Sequence, residues 1–490
     1  MLTDQNRAPI VEGMEAFQKK STTSFSLPGH KSGKGAADDV KRLMGEGVFK
    51  SDTSTQKGVD DRLESQGVLQ NAQHLAALLW GADHCYFSTN GTSLSNHVSF
   101  LCAAAPGDTV LVARNSHKSL VAGLILSKLR PVFLEPEADT DWDIHHGIPA
   151  AEVERKLAAH PEAKGVFIVS PTFYGVVSEI ARIAEICHRH GKPLIVDEAW
   201  GPHFPFHPDM PPAAIHSGAD MALGSIHKTM SGLQQASILL LRSDLIPRDR
   251  FELCFDLFES TSPSGPILAT IDSSRRQFAL HGKELVSRML RLARAAREAL
   301  SAIDGFKVMG REVLRGDGRF GMDETKVLFD ISALGVTGYM AEDWITAEHN
   351  VAFELSDESH LMAVITVGND ERDLRKLITA VHSMADWARR EGASKTRRAG
   401  SMPSRTELTT DMVMLPAEAF FGQTEHVPLE QAVGRIAAEM VSPYPPGIPR
   451  LIPGERISQS QVAFLQASMA MGAFALEPSD LTLKTVRVVA

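Results

Sequence analysis

From about residue 61 to 280, short apolar runs alternate with amphipathic stretches of helical length. The runs predict strands over 85–88, 109–113, 131–134, 165–170, 193–197, 221–223 and 236–241. Most are continuously apolar, the pattern of strands buried on both faces. Between them, 3.6-residue periodicity predicts helices over 62–80, 93–105, 119–129, 150–160 and 178–190. Strictly alternating elements need crossover connections, so the expectation is an α/β domain with a mostly parallel sheet. Its functional residues should gather at the carboxyl ends of the strands.

The flanks read differently. Residues 1–60 are polar and punctuated, with Pro28-Gly29-His30-Lys31 in the middle, and predict an arm with little core of its own. An Arg-, Ala- and Leu-rich helix is expected over 282–303, leading into a smaller α+β unit at 281–391. That unit contains apolar or periodic stretches at 326–331, 338–349, 361–367 and 371–390. Residues 392–409 are polar, basic and poor in apolar side chains, as a linker would be. A C-terminal domain is expected over 410–490, with a rigid proline-rich segment at 443–449.

The 490 residues are 43% hydrophobic and 22% charged, ordinary for a globular protein of several domains. A net charge of −10 argues against nucleic acid and anionic membranes as partners. No window approaches ~20 uninterrupted apolar residues, and the first residues lack a leader pattern. The four cysteines have no CxxC spacing. The expectation is a reduced, cytoplasmic protein without a metal.

Several strand ends carry candidate chemistry. Ser225-Ile226-His227-Lys228 puts a lysine between two apolar runs, where its amine must be paired, solvated or used. The run 194–197 delivers Asp197 at its carboxyl end. A lysine able to form a Schiff base and an aspartate able to hold a pyridine nitrogen protonated are the minimum equipment for pyridoxal phosphate chemistry. Thr89-Asn90-Gly91-Thr92-Ser93 joins a strand to a helix N-terminus, and such a turn either binds an anion or is an ordinary cap. It lacks the Gly-Lys-Ser/Thr of a nucleotide loop, and no GxGxxG follows a strand, which disfavours ATP and NAD. His117, after the strand at 109–113, could stack on a planar ring or cap a helix. Thr172, in Pro171-Thr172-Phe173-Tyr174-Gly175, could donate to a phenolic oxygen or cap its turn. His203 and His207 have prolines nearby and lack clustered carboxylates, which argues against metal ligation.

Together these stretches, with Leu27-Pro28-Gly29-His30-Lys31 and the proline-rich run at 443–449, resemble the fold-type-I, pyridoxal-phosphate-dependent Orn/Lys/Arg decarboxylase family over nearly the whole chain. The resemblance implies an aspartate aminotransferase-like α/β fold, and in it Lys228 bears the cofactor covalently. Asp197 pairs with the pyridine nitrogen and His117 stacks on the ring. Asn90, Gly91, Thr92, Ser93, Ser225 and His227 surround the phosphate, Thr172 and His203 lie near the ring's polar edge, and Trp200 and Phe204 form an aromatic wall. Thr261 and Ser262, in Ser260-Thr261-Ser262-Pro263-Ser264, would reach the phosphate of a neighbouring subunit, implying a homodimer with shared sites.

The chain departs from its relatives at Gly265 and Ala417, where bulkier residues and an arginine are common, and lacks the glutamate usual after Asp52-Thr53. All three departures bear on the substrate pocket. No receiver-like wing domain is expected, so the decamer of larger relatives is not carried over. Arginine is the first expectation for the substrate, giving agmatine for polyamine biosynthesis, with lysine and ornithine close behind. Glu418 and Glu425 are candidates for its distal cation. Transamination or oxidative deamination by the same cofactor remains open, as does a non-catalytic regulatory paralogue.

Overall fold

Val, Ile, Leu and Phe fill the short runs that become the central sheet. The computed structural model describes residues 2–20, 23–53, 67–390, 411–444, 447–475 and 477–490. Seven strands pair in the order His84–Ser88, Ser237–Leu241, Met221–Ser225, Leu194–Asp197, Val166–Val169, Thr109–Ala113, Arg130–Leu134. All are parallel except Ser237–Leu241, which runs antiparallel to both neighbours. Alternate residues serve different cores: Val166 and Ile168 face one layer, Phe167 the other. Leu194, Val196, Ala222, Leu240 and the long helix build the first core. Ile195, Leu223, Leu239 and the helices Gly91–Ala103 and Lys118–Ser127 build the second.

Register brings the functional ends level. Ser88 pairs with Ser237, Ser237 with Ser225, and Val169 with Asp197. Because Ser237–Leu241 is reversed, its preceding loop (Gln234, Gln235) arrives at the edge where the parallel strands end.

The predicted helix at 282–303 is longer than expected, a 37-residue helix from Gly265 to Ser301. A polar run at 272–277 interrupts its periodicity, but that run is held by the N-terminal arm. Asp272 and Arg275 form a fully buried ion pair at 2.7 Å. Ile10 N donates to Asp272 and Arg275 donates to Gln5 and Arg7 carbonyls. The arm therefore packs into the main core through Ile10 and Met14 rather than standing apart.

A four-stranded antiparallel sheet follows, in the order Lys307–Val308, Lys326–Asp330, His360–Val364, Leu355–Ser356, with the helices Gly338–His349 and Glu371–Arg390. The expected linker falls outside the described residues. Beyond it, Leu429, Val441, Leu465, Val486 and Val488 form a separate small core. This unit is fastened to the large sheet by Arg114, which pairs with Glu455 at 3.1 Å and donates to Pro449 O, and by Lys118–Glu477 at 2.9 Å. The docking carries Tyr444 to the strand ends. No helix among the described residues is long and apolar enough to cross a membrane.

Candidate active site

A cavity of about 420 Å³ opens at those ends, lined among others by Asn90, Gly91, Thr92, Ser93, His117, Asp197, Trp200, Ser225, His227 and Lys228. Asn90 stands at the N-cap position of the helix Gly91–Ala103 with its side chain turned to Glu259, which leaves the helix's first turn at the cavity without a side-chain cap. Gly91 has φ +69, and a Cβ there would meet nothing within 4 Å, which leaves the turn open. Its N–H bonds Gln235 O at 2.9 Å, tying the turn to the reversed strand. Thr92 Oγ1 lies 3.0 Å from Ser225 Oγ, so two hydroxyls from different elements converge on one spot. Hydroxyls, backbone donors and a helix N-terminus are the donor set that fits a phosphate.

Opposite lies Asp197. Asn96 Nδ2 donates to its Oδ2 at 2.9 Å and to Ser119 Oγ at 2.9 Å; Ser119 Oγ lies 2.9 Å from His117 Nδ1. One amide therefore spends both hydrogens linking the acid to the imidazole. His117 Nδ1 also accepts the Ser119 N–H as the helix N-cap, so its proton belongs on Nε2. The protein packed around this ring, then Lys228 and Lys118, push its pKa down to about 4, although the ring faces the open cavity. It is neutral near pH 7 and free to lie against a cationic heterocycle. Burial raises the Asp197 carboxyl above its usual range, opposed by the Asn96 donor and by Lys228. Burial lowers the Lys228 amine, opposed by Asp197 and Glu354. His227 Nδ1 donates to Ala236 O at 3.0 Å, fixing the residue beside it.

The wall is aromatic. Lys228 Nζ lies 4.3 Å from the Trp200 ring centroid, and Phe173 meets Trp200 edge-on at 5.7 Å. A second cavity of about 700 Å³ adjoins the first, sharing Trp200, His227, Lys228, Gln234, Glu354 and Tyr444. A phosphate cradle, a buried acid, a flat neutral imidazole and an amine on the rim fit a phosphorylated pyridine aldehyde.

The family described as "Orn/Lys/Arg decarboxylase, major domain" matches residues 8–373, and its C-terminal domain matches 401–474. The chain belongs to the Orn/Lys/Arg decarboxylase family. It is 36% identical over 488 residues to an arginine decarboxylase of Halalkalibacterium halodurans, covering 100% of this chain and 99% of that one. It is 34% identical over 485 residues to the arginine decarboxylase of Bacillus subtilis, covering 99% and 98%. Its fold matches a lysine decarboxylase of Francisella novicida with TM-score 0.82 at 22% identity, over 99% of this chain and 81% of that one. A serine palmitoyltransferase of Sphingomonas wittichii matches with TM-score 0.53 at 15% identity, over 73% and 86%. These two likenesses speak for the fold alone, that of the fold-type-I pyridoxal-phosphate enzymes.

Within this decarboxylase-family fold, several expected residues lie away from the cavity. His203 is fully buried with Nε2 3.6 Å from Asp323 Oδ2, and Thr172 is buried with its hydroxyl unpaired; neither lines the cavity. His203 is drawn to an acid from the smaller sheet's side, and the Thr172 turn is held through its backbone. Phe204 belongs to the main core, and Phe173 takes the place expected of it on the wall. Thr261 and Ser262 are exposed at the start of the long helix, outside this chain's own cavity. Gly265 and Ala417 do not line it either. A Cβ on Gly265 would meet Met14 and the Ser51 carbonyl at 3.0 Å, so this glycine admits the arm. Of the residues weighed for the distal cation, Glu418 is exposed and Glu425 pairs with Arg435 at 2.5 Å, both away from the cavity.

Sequence reasoning passed over Asn96, Ser119, Tyr444 and Glu354. Asn96 had little signal, since its helix also carries Thr92, Ser93, Ser95, His97 and Ser99. Glu354 had none, since a lone glutamate between a helix and a strand looks like any loop residue. Its carboxylate lines both cavities and makes no hydrogen bond or ion pair among the described residues. Enclosure raises its pKa, with Lys326 and Lys228 pulling it back down.

Proposed function

We propose that the protein decarboxylates L-arginine to agmatine and CO₂, with pyridoxal phosphate carried on Lys228. The observation that carries the reading is the convergence of Lys228, Asp197, His117 and the Thr92–Ser225 cradle in one cavity beside Glu354, whose carboxylate has no partner among the described residues. Relatives named arginine decarboxylase at 34–36% identity over essentially the full chain support arginine over lysine and ornithine.

When bound, pyridoxal phosphate supplies an electron sink for the pair left on the substrate's α-carbon as CO₂ departs. The chain does the rest. The turn 90–93, Ser225 and His227 anchor the phosphate. Asp197 holds a proton on the ring nitrogen, and Asn96 keeps the carboxylate oriented. Lys228 Nζ would hold the cofactor through its aldehyde, and it is placed to move the proton at the α-carbon. Trp200, Phe173 and Tyr444 narrow access to water. Burial and Glu354 raise the Tyr444 phenol's pKa, so it stays protonated near neutral pH. Glu354 receives the guanidinium, with Asp370 and Asp373 lining the outer cavity as an acidic approach.

We extend the proposal to a homodimer with shared sites, in a reduced cytoplasmic setting. Leu253 and Leu257, one turn apart, are 73% and 74% exposed on the helix that leads to Thr261 and Ser262. All four cysteines are free.

Side-by-side incubation with arginine, lysine and ornithine tests the function, reading amine and CO₂. Agmatine from arginine at the highest kcat/KM is expected. A 2-oxo acid product, or no turnover of any of the three, overturns it.

A further inference from the structure

The turn that opens the phosphate cradle withholds its own helix cap. An asparagine at an N-cap position ordinarily turns its side-chain oxygen onto the N–H two or three residues on. Asn90 does not. The helix Gly91–Ala103 has no side-chain cap, and the Asn90 backbone, at φ −117 and ψ 20, is outside the extended conformation of a capping residue. Its amide instead donates to Glu259 Oε1 at 3.2 Å. The same oxygen takes the Thr89 hydroxyl at 3.4 Å and the Ser260 N–H at 3.1 Å. Glu259 follows directly on the helix Arg248–Phe258, with its own N–H on Phe255 O at 2.9 Å, and that helix packs against Gly91–Ala103. The carboxylate therefore stands on a fixed support.

The first N–H groups of the turn divide into two sets. Asn90 N–H donates to Ser88 Oγ at 3.1 Å, and Gly91 N–H to Gln235 O at 2.9 Å. Thr92 and Ser93 N–H have no partner among the described residues, and both residues line the cavity. A capping Asn90 would take one of these two donors, and a phosphate needs both. We propose that Glu259 is a positioning residue for the cradle: by holding the Asn90 amide, it keeps the Thr92 and Ser93 N–H groups open to an anion. The inference rests on reading this turn as the site of the cofactor's phosphate. Without Glu259, Asn90 is released to cap the helix, and an incoming phosphate must first displace it. A purely electrostatic role predicts the reverse, since a carboxylate this near repels a phosphate and its loss would tighten binding.

The test titrates full-length protein, stripped of cofactor, with pyridoxal phosphate and separately with pyridoxal, which lacks the phosphate. Glu259→Leu should weaken pyridoxal phosphate by about fivefold, the worth of a typical cap, and leave pyridoxal unchanged. Amide hydrogen exchange over Thr92 and Ser93 should slow in the stripped variant, because the cap now holds them. Glu259→Gln keeps an acceptor oxygen for the Asn90 amide and should bind as the parent does. In an Asn90→Ala background, with no side-chain oxygen to compete, Glu259→Leu should no longer change the affinity. Unchanged or tighter binding by Glu259→Leu overturns the proposal, as does unchanged or faster exchange. So does a loss that extends to pyridoxal or persists with Asn90→Ala, which would leave Glu259 only a packing role. If Glu259→Leu does not fold, Glu259→Ala removes the same oxygen with less bulk and is read the same way. Failure of the underlying reading looks different: the parent itself binds pyridoxal phosphate no more tightly than pyridoxal.

Discussion

Asp197 has the most exacting position in the chain. It is buried, fed by one Asn96 hydrogen and the Ala199 N–H, and has a lysine as its nearest cation. Asp197→Asn keeps the shape and removes the charge that, in the proposed function, would hold a proton on the ring nitrogen. We expect kcat to fall by about 10²–10⁴-fold, within the scale of lost electrostatic stabilisation, with thermal stability retained. Glu354→Gln should act on binding instead. Arginine KM should rise roughly 10–100-fold with kcat within a few-fold, the signature of a lost charge-assisted contact; steady-state kinetics separate the two. Glu198, next to Asp197, is fully buried with one backbone donor, from Ala214, and its pKa is pushed up to about 8 by burial. Folded protein keeps a proton there that unfolded chain releases, so stability present at low pH is lost as pH rises through about 8. Glu198→Gln should flatten that decline, so its melting temperature should fall less between pH 6 and 9 than the parent's.

At the scale of elements, the helix Gly91–Ala103, which carries part of the proposed phosphate cradle, depends on a close approach. A Cβ at Gly123 would meet Phe100 Cδ2 at 2.5 Å and Asn96 O at 3.4 Å, where Phe100 is stacked on Phe167 at 4.1 Å. Gly123→Val should cost about 1–3 kcal/mol by overpacking and weaken cofactor binding, because the displaced helix carries both Thr92 and Asn96. Chemical denaturation and cofactor titration measure the two effects. The same elements explain what could be read from sequence. The seven strands were legible because buried strands are continuous apolar runs with turn residues on either side. The reversal of Ser237–Leu241 was not, since an apolar run has no direction. Lys228 and Asp197 were legible from their strand ends. His203 was misplaced because an acid 120 positions later, Asp323, decides where it points. Glu259 looked like the end of a helix, and only the tertiary fold brings its carboxylate to Asn90.

Across the whole molecule, the site needs three units. The large sheet and its helices supply Thr92, Ser225 and Lys228, the smaller unit supplies Glu354, and the C-terminal unit brings Tyr444 through Arg114–Glu455. In the proposed homodimer, Thr261 and Ser262 of a second copy would complete each site. Lys228→Ala and a Thr261→Ala/Ser262→Ala double variant should each be nearly inactive alone. Mixed and re-associated, they should regain up to about a quarter of parental activity, because one of the two shared sites in each heterodimer is intact. No recovery would mean that each chain completes its own site. The central claim is that one amine, at position 228, holds the cofactor. Borohydride reduction of the loaded protein, followed by peptide mass spectrometry, reads this directly. A phosphopyridoxyl group on Lys228 is the predicted result; a label on any other lysine, or on none, would contradict it.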